Sequence, residues 1–364
     1  MEETLEEALF HGTVQMVDGR GWVVGLPGFV RSATGAQNVR EGELVQSLWS
    51  GYGSITRWYL EGCLQTTAIL KKVAPPSGDG SPEQLRSHQR KIRSYEVEIS
   101  FYLRYAMRCD STCRIPRLLG AVSVEKGSCR AILLEDLDAE GFSSRGLTSK
   151  TAVSSCVRWL ANFHAVFMHL EPSELWEEGT YWHLDTRPDE LASLKHRGGD
   201  ASLLLSAAVD IDKKLSQAKY RTILHGDAKV DNFCFSVDGK NVAALDWQYV
   251  GGGCGMKDLS YFLSSVFDER QLERWTSVYL DEYFECLTER LNGREREDAS
   301  FCASEIESEW RGLYPFAVAD FQRFLLGWSG ESHNRCGKHS RQQVLLALDA
   351  LKEQSITPAV FQEQ

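Results

Sequence analysis

The feature that most constrains this chain is a charged loop followed directly by a predicted β-hairpin. The loop is His225-Gly226-Asp227-Ala228-Lys229-Val230-Asp231-Asn232. Two runs of strand-forming residues follow, 233–237 and 241–245, around Asp238-Gly239-Lys240. Asp-Gly between two such runs is a strong hairpin signal. Since the second run leads into Asp246-Trp247, the sequence predicts a tight reversal that returns Asp246 to the charged loop.

The register of this hairpin predicts which side chains meet. A three-residue turn pairs Val237 with Asn241, and counting back along both arms places Asn232 opposite Asp246. Directly opposed antiparallel residues have Cα atoms roughly 4.5–5.5 Å apart. An amide oxygen and a carboxylate at that separation suit Mg²⁺, which prefers hard oxygen ligands and takes few of them from protein. Asn232 and Asp246 are therefore the predicted metal ligands.

Two side chains upstream of these ligands have the chemistry for phosphoryl transfer. Asp227 can orient and deprotonate an attacking hydroxyl, and Lys229 can offset the charge that grows on the transferring group. An ordinary polar turn is the alternative interpretation. The complete pattern is much rarer than one His-x-Asp match, so we predict Asp227 and Lys229 as catalytic and His225 as a structural brace.

The pattern resembles the catalytic loop of the protein kinase-like superfamily, in particular its small-molecule branch of aminoglycoside phosphotransferases, choline kinases and ecdysteroid kinase-like proteins. His-Gly-Asp replaces His-Arg-Asp, Asp-Trp-Gln replaces Asp-Phe-Gly, and residues 249–259 continue the likeness. The resemblance covers about residues 44–265. It implies a bilobal α+β fold, with a small antiparallel-sheet lobe and one long helix in 1–137 and a larger, mainly helical lobe in 138–364, and it implies ATP and Mg²⁺ as cofactors.

The resemblance also implies a phosphate-binding role for a glycine-containing loop and for one lysine of a strand that carries two. The loop Gly51-Tyr52-Gly53-Ser54 joins two predicted strands, and its glycines let backbone N–H groups approach phosphate. In the next predicted strand, 66–73, Lys71 and Lys72 point to opposite faces. We prefer Lys72 as the phosphate-binding lysine, because its face carries the small apolar residues expected over adenine, and Lys71 remains the alternative.

A helix and a hinge complete the predicted nucleotide site. Ser81-Pro82-Glu83-Gln84 combines an N-cap, a proline at the first helical position and a capping-box glutamine, so a helix should run from there to about Arg108. Glu98 lies beside the apolar stripe of that helix and needs a partner if it is buried, for which Lys72 is predicted. Glu135 and Leu137 end a predicted strand and resemble the interlobe hinge whose backbone groups receive adenine.

Composition limits the partners. The chain of 364 residues has a net charge of −11 and a pI near 5.4, which argues against a nucleic-acid or anionic-membrane partner. Its ten cysteines are scattered without Cys-x-x-Cys pairs, as expected for free thiols in a reducing compartment. No run approaches the length of a membrane span, and the acidic N-terminus is unlike a signal peptide. We expect a cytoplasmic protein that acts on a small hydroxylated acceptor, with the oligomeric state open.

Two rival functions share part of the pattern. Lys229 also resembles the loop of protein kinases, but only eleven residues separate Asp246 from Asp258 and no Ala-Pro-Glu follows. That segment is too short to be a platform for an extended peptide. A non-catalytic nucleotide-binding protein would be expected if the base or a metal ligand were replaced, and neither is.

Other conspicuous residues receive a structural interpretation. His164 lies on the apolar stripe of a predicted core helix over 149–170, and the aromatic insertion 179–184 is expected to pack rather than to touch substrate. Asp320 and Trp328 are assigned to ordinary core and surface. The helices over 259–352 are expected to shape the acceptor pocket, but the sequence does not identify the acceptor.

Overall fold

The structure, a computed structural model, describes residues 14–17, 25–76, 78, 80–124, 130–295, 302–329 and 335–356. A hairpin expected around Trp22-Val23-Val24 and a turn expected at Lys126-Gly127 lie outside these residues. Among the described helices, none is both long enough and apolar enough to cross a membrane.

The chain divides into two compact units. One comprises Met1–Arg145 with Cys234–Leu245, and the other comprises Gly146–Phe233 with Asp246–Gln364. The sequence placed the boundary after residue 137 and put the hairpin with the C-terminal part, whereas the hairpin residues 234–245 belong to the first unit. The first unit contains a mainly antiparallel sheet and the second is mainly helical, which confirms the predicted α+β class.

The first unit is built on a six-stranded sheet in the order β1-β5-β6-β4-β3-β2. Its strands are β1 (Val14–Val17), β2 (Asn38–Ser47), β3 (Gly53–Glu61), β4 (Thr67–Val73), β5 (Leu118–Val124) and β6 (Arg130–Glu135). All neighbours pair antiparallel except β1 with β5. Helix α1 (Gly25–Thr34) covers one face, where Phe29 and Val30 join Trp58, Leu70 and Leu133 in one core cluster.

Helix α2 (Pro82–Arg104) begins as the sequence predicts. The Gln84 backbone N–H donates to Ser81 Oγ, and the Ser81 backbone N–H donates to Gln84 Oε1, which forms the capping box. The helix ends at Arg104 and a short 3₁₀ turn follows it to Arg108. Tyr95 of α2 packs with Val73 at the end of β4, so this helix lies against the end of the strand that carries the two lysines.

The second unit contains helices α3 (Lys150–Val166), α4 (Pro188–Ala192), α5 (Asp200–Ser216), α6 (Met256–Val266), α7 (Glu269–Glu295), α8 (Ala303–Trp328) and α9 (Lys338–Ile356). In this unit β8 (Thr222–Leu224) pairs with β11 (Gly251–Gly253). A three-stranded sheet in the order β10-β9-β7, formed by β7 (Ser144–Arg145), β9 (Phe233–Phe235) and β10 (Val242–Ala244), belongs to the first unit except for Phe233. Trp159 and Phe163 of α3 pack against Trp247 with ring centroids 6.0 and 5.2 Å away. This aromatic core holds the chain on both sides of the charged loop and Asp246.

The hairpin is present, but its register differs from the prediction by one residue. The Ser236 N–H donates to the Asn241 carbonyl at 2.9 Å, so four residues rather than three form the turn. The predicted pairing of Val237 with Asn241 was therefore wrong, and Val237 is 83% exposed. The Asp238 carboxylate accepts hydrogen bonds from the Ser236 hydroxyl and the Lys240 N–H, which stabilises the longer turn. If this register continues toward the charged loop, Asn232 is opposite Leu245 rather than opposite Asp246, as had been predicted.

Candidate active site

The charged loop folds into two tight turns that bring its predicted catalytic residues together. The Lys229 N–H donates to the Asp227 carbonyl at 2.8 Å, and the Asn232 N–H donates to the Lys229 carbonyl at 2.9 Å. The Asn232 side chain reaches back, and its Nδ2 donates to the Asp227 carbonyl at 2.7 Å and to Oδ2 at 3.0 Å. Lys229 Nζ lies 3.6 Å from the same carboxylate oxygen. A cation and an amide thus lie within ion-pairing and hydrogen-bonding distance of one carboxylate.

Asp227 is held in an environment that raises its proton affinity. Burial raises the pKa of Asp227 to about 7, Lys229 opposes this, and the negative charge of Asp246 adds to it. Asp246 therefore acts on Asp227 electrostatically, although it does not pair with Asn232 in the ladder. Within the described part of the chain, Asp227 Oδ1 is buried without a hydrogen-bond partner. This oxygen can therefore accept a hydrogen bond from a further donor.

The glycine before Asp227 is required by the backbone. Gly226 has a φ of 80°, and a Cβ there would lie 1.9 Å from the Tyr249 carbonyl oxygen. That carbonyl accepts the Thr180 N–H, and the Gly226 carbonyl accepts the Tyr181 N–H. Since two backbone segments pass on either side, no side chain fits. This crowding explains why a glycine stands between His225 and Asp227.

A buried carboxylate from helix α6 braces the start of the loop. Asp258 accepts hydrogen bonds from the His225 N–H at 2.6 Å, the Gly226 N–H at 3.0 Å and His164 Nε2 at 3.1 Å. Burial alone would raise the pKa of Asp258, but its hydrogen bond with His164 and the nearby histidine charges hold it below its usual range. His164 also contacts the Tyr283 hydroxyl, in agreement with its interpretation as a satisfied core histidine.

Asp246 follows the hairpin directly and has an unusual backbone conformation. Its φ is 71°, a left-handed value that aspartate tolerates better than most residues. Gln248 Nε2 donates to its Oδ1 at 2.7 Å. The ring of the next residue, Trp247, packs against the His225 ring at a tilt of 40° with centroids 4.5 Å apart. The backbone conformation of Asp246 is therefore held by this packing and by the hydrogen bond from Gln248.

The residues around Asp227 fit a magnesium ion. Because Asn232 donates through Nδ2, its Oδ1 is left for another partner, and Asp246 supplies a carboxylate nearby. Among the described residues, no three His, Cys, Asp or Glu side chains form a metal cluster. That is compatible with Mg²⁺, which usually takes one or two protein carboxylates and completes its shell with phosphate and water.

In the first unit, Glu98 pairs with Lys71. The Lys71 Nζ to Glu98 Oε2 distance is 2.6 Å, and both side chains are buried. The predicted pair of Lys72 and Glu98 was wrong. Ala68 and Leu70, which share the face of Lys72, belong to the core cluster beneath α1, whereas Val73, on the face of Lys71, packs against Tyr95 of α2.

The glycine-containing loop makes a sharp turn between β2 and β3. Gly53 has a φ of 144°, and a Cβ there would lie 1.9 Å from the Lys72 carbonyl oxygen. Ser54 already pairs with Lys72 in the sheet. Tyr52 is buried, and its hydroxyl lies 2.6 Å from His88 Nδ1 of α2. Its side chain therefore packs on the helix, and any phosphate contact of this loop comes from the backbone around Gly51 and Gly53.

The side chains of the predicted hinge are engaged within the first unit. The Glu135 carboxylate forms ion pairs with Arg114 and Arg117, and Leu137 belongs to a core cluster with Cys234. A nucleotide contact from this segment would therefore use backbone groups, as the hinge resemblance implies.

Sequence reasoning missed two tyrosines beside Asp227. Burial raises the pKa of Tyr181 to about 12, and the negative charge of Asp227 contributes. Burial also raises the pKa of Tyr261, again with a contribution from Asp227. Their rings contact each other edge-on at 5.6 Å. The insertion 179–184 does pack, as expected, but Tyr181 packs next to the base. The position of Tyr261 three residues after Asp258 was the available signal.

A buried aspartate near an amide, a lysine and a second carboxylate is a set of groups that phosphoryl transfer can use. The chain belongs to the Phosphotransferase enzyme family, whose model matches residues 57–298. This membership confirms the predicted enzyme class, a phosphotransferase of the small-molecule branch with an alcohol group as acceptor.

Several solved structures resemble the chain at low identity. A microcompartment-associated aminopropanol kinase is 16% identical, with 98% of each chain covered and a TM-score of 0.48. A choline kinase from Cryptosporidium parvum Iowa II is 8% identical, with 98% of each chain covered and a TM-score of 0.47. An aminoglycoside-3'-phosphotransferase of type VIII is 17% identical, with 79% of this chain and 97% of that chain covered and a TM-score of 0.38. No curated protein matches the chain significantly.

Proposed function

We propose that this protein transfers the γ-phosphoryl group of ATP to a hydroxyl group of a small molecule, in a reaction that depends on Mg²⁺. One observation carries the proposal: Asp227 is buried with one free carboxylate oxygen, beside Asn232, Lys229 and Asp246. This is the set of groups that in-line transfer from ATP requires.

Each residue has a defined part in the reaction. Asp227 accepts the proton of the acceptor hydroxyl as the acceptor oxygen bonds to the γ-phosphorus, and the bond between that phosphorus and the bridging oxygen breaks to release ADP. Lys229, 3.6 Å from Asp227 Oδ2, offsets negative charge on the transferring group. Asn232 fixes the Asp227 carboxylate through its Nδ2.

Asn232 Oδ1 and the Asp246 carboxylate are the proposed magnesium ligands. A Mg²⁺ ion held by these two residues would neutralise negative charge on the phosphates of ATP. The hydrogen bond from Gln248 Nε2 to Asp246 Oδ1 orients this carboxylate.

The nucleotide contacts are proposed from the first unit. Lys71, rather than Lys72, is the phosphate-binding lysine, because Glu98 holds its ammonium group in place. Backbone groups around Gly51 and Gly53 approach the phosphates, and those of the segment from Glu135 to Leu137 receive the adenine ring.

The segment after Asp246 supports a small acceptor rather than a protein substrate. Gly251, Gly252 and Gly253 pair with β8, and the Trp176 N–H and carbonyl hydrogen-bond to Val250 and Gly252. Backbone pairing on two sides fixes this stretch, so it offers no free platform for an extended peptide.

The proposed location is the cytoplasm. The nine cysteines in the described part of the chain are all free thiols: Cys63, Cys109, Cys113, Cys156, Cys234, Cys254, Cys286, Cys302 and Cys336. Free thiols are typical of a reducing compartment.

The test is a screen for acceptor-dependent ADP formation with Mg²⁺ and a panel of amino alcohols, aminoglycosides, sterols and sugars. We expect one class to support turnover by the wild type and not by Asp227→Asn. ATP binding without turnover of any acceptor would favour a non-catalytic nucleotide-binding protein, and retained transfer by Asp227→Asn would remove Asp227 from its role.

A further inference from the structure

One face of helix α6 contacts the catalytic loop at successive positions. Asp258 accepts the backbone N–H groups of His225 and Gly226. Two turns further along, Ser265 Oγ accepts the Val230 N–H at 3.0 Å. Residues three or four apart lie on the same side of a helix. Tyr261 stands three residues after Asp258 and four before Ser265, so it faces the part of the loop between Gly226 and Val230, where Asp227 lies.

The surroundings of Tyr261 fix the direction of its ring. The ring is 7% exposed and contacts Trp182 edge-on at 4.9 Å and Tyr181 at 5.6 Å. Tyr181 is itself anchored to the loop, because its N–H donates to the Gly226 carbonyl at 3.1 Å. The two tyrosines and Trp182 therefore form an aromatic wall beside the loop at Gly226.

The same wall is held from behind by helix α8. Asp320 accepts the Trp182 Nε1–H at 3.0 Å, and Arg323 donates to the Trp182 carbonyl at 2.7 Å. Asp320 and Arg323 are buried and form an ion pair at 2.9 Å. Because the segment 181–182 cannot shift without breaking these bonds, the Tyr261 ring has little freedom to turn away from the loop.

We propose that Tyr261 is a positioning residue for the general base, which it restrains by donating its phenolic O–H to the Asp227 carboxylate during phosphoryl transfer. This inference rests on the proposed function. Asn232 already restrains Oδ2, and a hydrogen bond from the phenol to Oδ1 would restrain the second oxygen of the carboxylate. A carboxylate oxygen has two lone pairs, so Oδ1 can accept the phenol and still receive the acceptor proton.

The electrostatic environment agrees with a donor role. Burial and the charge of Asp227 both raise the pKa of Tyr261, so its hydroxyl stays protonated. In turn, the hydroxyl of Tyr261 lowers the pKa of Asp227, against the larger effect of burial.

The experiment compares Tyr261→Phe with the wild type, using ATP, Mg²⁺ and the acceptor that the screen identifies. The rate constant of phosphoryl transfer is measured in single turnovers, and KM is measured for both substrates. We expect the rate constant to fall about 10- to 100-fold, the loss of one hydrogen bond to a charged group, with both KM values within about twofold of the wild type.

Tyr314→Phe is the matched control, because Tyr314 is a buried tyrosine of helix α8 that contacts Thr276 rather than the loop. It should lose as much thermal stability as Tyr261→Phe while its transfer rate stays at the wild-type value. An unchanged rate in Tyr261→Phe, or a change confined to KM, would overturn the positioning role while Asp227→Asn still tests the function itself. If the wild type phosphorylates no acceptor, the proposed function fails and this inference fails with it.

Discussion

At the scale of single residues, steric room decides the identity of Gly226. A Cβ there would meet the Tyr249 carbonyl oxygen at 1.9 Å, and the φ of 80° already disfavours other residues. Gly146 separates the two effects, because its φ is 62° but nothing lies within 4 Å of a Cβ built on it.

We predict that Gly226→Ala destabilises the protein by about 2–5 kcal/mol, from left-handed strain of roughly 1–2 and overpacking of roughly 1–3. Gly146→Ala should lose only the strain, about 1–2 kcal/mol. Urea unfolding of both variants measures the difference. Equal losses would show that the Tyr249 carbonyl moves aside at little cost.

A comparison of Lys71 with Lys72 gives a second test at the scale of single residues. Lys71→Ala leaves the buried Glu98 carboxylate without its 2.6 Å partner, which should cost about 3–5 kcal/mol of stability and weaken binding of ATP. Lys72→Ala should change stability by only about 0.5 kcal/mol. Thermal unfolding with and without ATP distinguishes them, and a larger effect in Lys72→Ala would restore the original assignment.

At the scale of elements, helix α6 organises the catalytic loop through Asp258. Its folded-state pKa is lowered, so its contribution to stability is present above the pKa of an unfolded aspartate, about 3.9. That contribution to stability is lost as the pH falls through the lower pKa that Asp258 has in the folded protein.

Asp258→Asn should therefore lose about 3 kcal/mol or more at neutral pH, because it removes the charge that pairs with buried donors. The difference in free energy of unfolding between Asp258→Asn and the wild type should stay constant between about pH 7 and 5. It should become smaller below about pH 4. Free energies of unfolding across this range check it, and a gap that widens toward acid would contradict the account.

The elements also show what the sequence can specify. The start of α2 was predictable, because a capping box and an N1 proline act within four residues. The hairpin turn was one residue too short in the prediction, because the Ser236 and Asp238 side chains compete with the expected backbone pairing. The close approach of Asp227, Lys229 and Asn232 was predictable from spacing, since the three residues lie within six positions of the chain.

At the scale of the whole molecule, contacts between distant segments escaped prediction. The choice of Lys71 over Lys72 depends on which face of β4 helix α1 covers, and Phe29 and Val30 of α1 carry no local signal for that. Tyr181 reaches Asp227 through backbone bonds to Gly226. Such pairings depend on tertiary packing rather than on local pattern.

The central claim is that Asn232 and Asp246 hold Mg²⁺ with ATP beside Asp227. It is tested most directly by thermal unfolding of the wild type and Asp246→Asn with ATP, in the presence of Mg²⁺ or EDTA. Asparagine tolerates the φ of 71° at this position, so the unliganded variant should fold normally.

We predict that ATP raises the unfolding temperature of the wild type more in the presence of Mg²⁺ than in the presence of EDTA. In Asp246→Asn this additional, Mg²⁺-dependent rise should be absent. A shift in the wild type that is independent of Mg²⁺, or an equal metal-dependent shift in Asp246→Asn, would contradict the claim.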